Sequence, residues 1–109
     1  MAGYSELTIE QGATFSTDIT ISEPSGDPIN LSDYTASSQM RKSYYSNTAV
    51  SLNATVSNPT SGIVTIGLTA AQSANVNPGR YVYDVIITRN SNVTRVVEGI
   101  ITVLPSVTR

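Results

Sequence analysis

The last third of the chain sets the tightest limit on its fold. Residues 78–104 read Pro-Gly-Arg-Tyr-Val-Tyr-Asp-Val-Ile-Ile-Thr, then Arg-Asn-Ser-Asn, then Val-Thr-Arg-Val-Val-Glu-Gly-Ile-Ile-Thr-Val-Leu. Two runs rich in β-branched and aromatic residues flank a short polar tip, which is the signature of a β-hairpin. No other stretch is as dense in apolar residues, so a core has to be built against this one. Tyr81, Tyr83, Val85 and Ile87 fall on one face of the first run, Val82 and Ile86 on the other. The tyrosine face is expected to point inward. Val82 and Ile86 then need cover that an assembly partner would supply. The register stays open. A two-residue tip at Asn90-Ser91 sets Val85 against Val96, and a three-residue tip over 90–92 sets it against Val97. That one-residue slip reverses which side of the second run faces the core.

The rest of the chain repeats the strand signal in shorter units. Leu7 and Ile9 alternate with Thr8 and Glu10, after residues 1–6, which read as an arm. Phe15, Thr17, Ile19 and Ile21 alternate with Thr14, Ser16, Asp18 and Thr20, a strand with one covered face. Glu23 to Pro28 is a turn by its prolines and glycine. Ile29 and Leu31 predict a strand of one or two pairs, and Ser32 or Asp33 a tight turn before Tyr34. Residues 35–42 form the next strand, with Ala36, Ser38 and Met40 inward; such small inward side chains call for a large neighbour, for which Tyr81 and Tyr83 are candidates. Val50, Leu52, Ala54 and Val56 alternate with polar residues as one half-buried strand, and Val64, Ile66 and Leu68 follow the turn Asn58-Pro59-Thr60-Ser61-Gly62. Thr69 with Gln72 is a capping box opening one or two helical turns, which Pro78-Gly79 stop. The expected tail is 105–109.

Seven to eight short strands, with turn signals every eight to twelve residues, predict one antiparallel β-sandwich domain over 1–109. A short helical turn before Gly-x-Tyr matches one crossover of immunoglobulin-like folds, with Tyr81 as the corner tyrosine. The core disulfide and tryptophan of antibody domains are missing, since the chain has no Cys and no Trp.

The same composition narrows function. There is no His and no Cys, which removes the commonest general base and thiol chemistry. No paired-carboxylate motif is visible, so the chain is not expected to be an enzyme and no cofactor or metal is implied. Asp18, Glu23, Asp27 and Asp33 lack the spacing of a calcium loop and read as turn formers and a solvated face. Charged residues are 13% of the chain, the net charge is −2, and nothing basic is clustered, so nucleic acid is not an expected partner. No run is long enough to span a membrane, and the first residues lack the basic and apolar regions of a secretory leader. The sequons at Asn53 and Asn92 therefore carry little weight.

Three groups remain as interface candidates. Arg41-Lys42 lead into Tyr44-Tyr45, and tyrosine beside arginine is enriched at protein interfaces; equally, one ring could cap the sandwich edge. Asp84 interrupts an apolar strand and, with Arg95 and Glu98 on the partner strand, can form a cross-strand ion pair or a polar contact with another protein. Val82 and Ile86 form the third group.

Leu31-Ser32-Asp33-Tyr34-Thr35, Met40-Arg41-Lys42-Ser43, Gly62-Ile63-Val64-Thr65-Ile66, Leu68-Thr69 and Gly79-Arg80-Tyr81-Val82-Tyr83-Asp84-Val85 occur here in that order. With them, the chain resembles small Ig-like structural proteins of tailed-phage virions. Relatives include compact cyanophage virion proteins and the N-terminal domain of the phage upper baseplate protein. The resemblance extends to the ending, with Val107-Thr108-Arg109 as a tail, and adds Arg109 to the interface candidates. It implies a β-sandwich building block of the particle, assembled in the host cytoplasm. Its partners would be other virion proteins, as a homo-oligomer or symmetric assembly. The expected role is a tail or baseplate adaptor or decoration module. The alternatives are an adhesion module for host glycan or protein, and a capsid decoration protein.

Overall fold

The computed structural model describes residues 3–22, 29–43 and 45–107. The final hairpin forms as β7 (Gly79–Arg89) and β8 (Asn92–Leu104), and its inward side chains are the expected ones: Tyr81, Tyr83, Val85 and Ile87 are all buried. Before it in the chain come β1 (Gly3–Glu10), β2 (Phe15–Thr20), β3 (Thr35–Arg41), β4 (Val50–Leu52), β5 (Thr55–Asn58), β6 (Ile63–Leu68) and the single-turn helix α1 (Ala70–Ala74). They make an all-β sandwich: a five-stranded sheet in the order β1-β8-β7-β3-β4 faces a three-stranded sheet in the order β2-β6-β5. The core lies between them, with Ile9, Met40, Val85 and Ile101 from the first sheet and Val64, Ile66 and Leu68 from the second.

The layout is that of an immunoglobulin-like sandwich, with the final hairpin in the larger sheet and a helical turn leading into β7. The Tyr81 hydroxyl donates to the Asn77 carbonyl four residues upstream at 2.7 Å, the expected corner bond. The capping box at Thr69 and Gln72 closes in both directions. A second, 3-10 turn at Pro59–Ser61 follows β5.

Four sequence expectations are corrected. The sandwich is not wholly antiparallel, because β1 runs parallel to β8, with Leu7 opposite Ile101. Residues 3–6 belong to that strand and are not an arm, while Met1 and Ala2 lie outside the described residues. The alternation over 50–57 serves two strands in different sheets: β4 pairs with β3, β5 with β6. The chain changes sheet at Asn53, whose amide already donates to Gly67 of β6. An unbroken apolar–polar period gives no sign of this, because both sheets offer an apolar inner face. Ile29 and Leu31 make isolated backbone bonds, to Ile21 and Pro59, rather than a strand. The turn after them is organised by the Asn30 side chain, which accepts from the Ser32 amide and hydroxyl.

The corner from β1 to β2 turns at Gly12, whose φ of +84° favours glycine. Ser73 of α1, fully buried, accepts from the Gly12 amide at 3.1 Å and donates to the Ala13 carbonyl at 2.7 Å. The helical turn thereby pins the corner that sends β1 to the edge of the large sheet.

Candidate functional site

The open question of register is settled by a bulge. The tip is the two-residue one, with Arg89 opposite Asn92, yet Val85 pairs with Val97 and Ile86 with Arg95. Val96 is the extra residue, and it lets both conditions hold. One extra residue moves the β8 side chains beyond it to the other face. Val97, Ile101 and Val103 consequently turn into the core, and Glu98 turns out. In an unbroken strand, residues three apart lie on opposite faces; across the bulge, Arg95 and Glu98 lie on the same one.

That geometry builds an ion-pair cluster on the outer face of the five-stranded sheet. Asp84 and Glu98 sit directly opposite each other, an arrangement that is repulsive when bare. Arg95 lies between them, 3.3 Å from Asp84 and 3.5 Å from Glu98. All three side chains keep 38% to 53% of their exposure, so water screens the cluster and it adds little to stability.

Around it the face is partly apolar. Val82 and Ile86 are half-buried on either side of Asp84. With Gln39, Arg41 and the ion-pair cluster they line a depression of about 320 Å³. Arg41 closes one end. Its guanidinium donates to the Ser46 carbonyl at 2.6 Å and to the Gln39 side chain at 3.3 Å, tying the loop after β3 to the sheet. Five of the sequence candidates, Arg41, Val82, Asp84, Ile86 and Arg95, thus converge on one surface. Ile100 and Glu6 extend the same face and were not singled out in the sequence. Their signal was the outward period of β8 and β1, readable only once the bulge and the parallel pairing are known.

The other candidates fall elsewhere. Lys42 leaves the depression and stacks on Tyr81, its ammonium 4.5 Å from the ring centre and 3.5 Å from the Pro78 carbonyl. Tyr45 stands 94% exposed on the loop after β3. Tyr44 and Arg109 lie outside the described residues, as do Glu23 and Asp27. Asp18 accepts from the Thr65 hydroxyl at 2.7 Å, across β2 and β6. Among the described residues no cluster of three or more acidic side chains is arranged to hold a metal ion, and no helix is long and apolar enough to cross a membrane.

Beneath the outer face, Tyr83 crosses under Gly99 and donates to the Ser5 carbonyl of β1 at 3.0 Å. A Cβ at position 99 would collide with that same carbonyl, so glycine is what lets β1 close onto β8. Burial raises the pKa of Tyr81 and of Tyr83.

Comparison with known proteins gives fold likeness alone. No family model and no curated protein matches the chain. Among solved structures, the N-terminal domain of ORF48 of phage TP901-1 is similar, with a TM-score of 0.61 at 10% identity, over 91% of this chain and 84% of that one. InlP of Listeria monocytogenes is similar over 94% of this chain, with a TM-score of 0.51 at 20% identity. The chain spans 28% of the length of that InlP structure.

Proposed function

We propose that this chain is a non-enzymatic structural protein of a tailed-phage virion, an adaptor or decoration module of the tail or baseplate. It would act through protein–protein contacts and need no cofactor. The observation that carries the reading is the outer face of the five-stranded sheet. There Val82 and Ile86 stay half-buried beside two carboxylates, Asp84 and Glu98, that share the Arg95 guanidinium. Such a face offers a partner apolar area and polar groups already tied to one another, with one net negative charge left for the partner to meet. The likeness to the N-terminal domain of phage TP901-1 ORF48 supports a phage protein, in keeping with the tailed-phage resemblance read from the sequence.

Epitope-tagged protein, located by negative-stain imaging of purified particles, tests this. Stoichiometric labelling at a tail or baseplate junction is the expected result. Absence of the protein from particles overturns the reading. Labelling at an outer tip, with attachment blocked by free glycan, would replace it with the adhesion role. Uniform labelling of the head would replace it with capsid decoration.

A further inference from the structure

The outer face has a symmetry of its own. Glu6 on β1 pairs with Ile100 on β8, Ile100 with Val82 on β7, and Val82 with Arg41 on β3. Read across the strands, this row is acid, apolar, apolar, base, and its midpoint lies between β8 and β7. A half-turn about an axis along the strands at that midpoint lays Glu6 over a second copy's Arg41, and Ile100 over its Val82.

We propose that two copies of this chain pair face to face through this sheet, with reciprocal Glu6–Arg41 contacts around an apolar centre of Ile100 and Val82. The proposal rests on the reading of this face as an interface and names its occupant. A peptide or glycan filling the depression would have no need of a row that is its own complement. A twofold interface does, because every contact must be made twice with the roles exchanged.

The next row fits the same operation. Tyr4, Glu98, Asp84 and Gln39 follow one another across β1, β8, β7 and β3. The half-turn sets Tyr4 over Gln39 and Glu98 over Asp84. Those carboxylates would repel; each copy's Arg95, within 3.5 Å of both, offsets half of the four negative charges, and the remainder keeps the contact weak. Arg41 also has donors to spare. It uses its two terminal nitrogens on Ser46 and Gln39, and a guanidinium carries five N–H groups. The half-turn superposes four strands, β1, β8, β7 and β3, about 4.8 Å apart; over four rows about 6.8 Å apart they describe a patch of roughly 14 by 20 Å. That is small beside the roughly 800 Å² per partner of a standard interface, so the dimer is weak and concentration-dependent.

The test is a charge swap read by light scattering after size exclusion and by sedimentation, on full-length chain. Wild type is expected to dimerise reversibly. Glu6→Arg alone places arginine over arginine, and Arg41→Glu alone places glutamate over glutamate. Each should weaken self-association at least about tenfold. Mixed in equal amounts, the two variants should dimerise as well as wild type, because both mixed contacts then pair opposite charges. Recovery in the mixture also shows that neither variant is misfolded. The proposal is overturned by a wild type that stays monomeric up to about 1 mM, by single variants that associate like wild type, or by a mixture that does not recover. A monomeric wild type that still enters particles would overturn the dimer and leave the virion reading standing. A dimer absent from particles would do the reverse.

Discussion

The two faces of β7 carry almost the same hydrophobic material and do opposite things with it. Ile87 is 2% exposed among core residues, whereas its neighbour Ile86 is only half-buried beside Arg95. Tyr81 and Tyr83 bury their rings and hand their hydroxyls to backbone carbonyls, while Val82 and Asp84 between them look outward. Inward, each polar atom has one fixed partner and each apolar group is enclosed. Outward, the apolar groups lack cover and the charges are shared loosely in water. The difference separates residues that hold the sandwich together from residues left free to meet something else.

Substitutions can break this contrast in a graded way. Gly99→Ala should have the largest effect. The new methyl meets the Ser5 carbonyl, and β1 can accommodate it only by leaving β8. A loss of about 3 kcal/mol or more in urea unfolding is expected, and a fully stable variant would refute the tight closure. Next comes the isoleucine pair. Ile87→Ala should cost about 3 kcal/mol, as buried isoleucines do, and Ile86→Ala about 1 kcal/mol or less in the isolated chain. Equal losses would mean that the two faces are not distinct. If the outer face is an interface, Ile86→Ala should instead weaken association.

Tyr83→Phe and Tyr81→Phe should each cost about 1 kcal/mol at neutral pH, the value of one hydrogen bond. They also bear on alkaline stability. Burial holds both phenols neutral above their ordinary range. Their contribution is therefore complete below about pH 10 and drains away as pH climbs through the raised values. The double Phe variant should lose less stability than wild type between neutral and strongly alkaline pH, as followed by denaturant midpoints. The smallest effect belongs to Asp84→Asn, which removes one arm of an exposed ion pair and should change stability by under about 1 kcal/mol. A loss of several kcal/mol would show that the cluster is structural and not merely poised at the surface.

Much of this contrast was legible in the sequence. The inward set of β7, the corner tyrosine, the capping box and the Asp84–Arg95–Glu98 association all follow from spacing and side-chain chemistry. Most of the site was legible too: Asp84 because a carboxylate inside an apolar strand is a local anomaly, Arg95 and Glu98 as its partners across the hairpin, Val82 and Ile86 as apolar residues on the outward side, and Arg41 by its place beside the tyrosines. Ile100 and Glu6 were not, since their place on the face depends on two pairings that no local pattern specifies. The same limit hid the sheet change at Asn53, where Leu52 and Val56 obey one alternation yet serve two sheets.

What the sequence determined by itself was most of the strands and, for these, which side faces inward, because a period of two is a property of each segment alone. The tertiary structure decided the pairings: β1 parallel to β8, β4 and β5 in different sheets, and Val96 set aside so that Val97 could turn in. Those choices depend on groups far apart in the chain competing for the same backbone partners and the same enclosed volume. Only when the two sheets close on one another does a single arrangement satisfy them all. The outer face, with its row from Glu6 to Arg41, is a consequence of that closure.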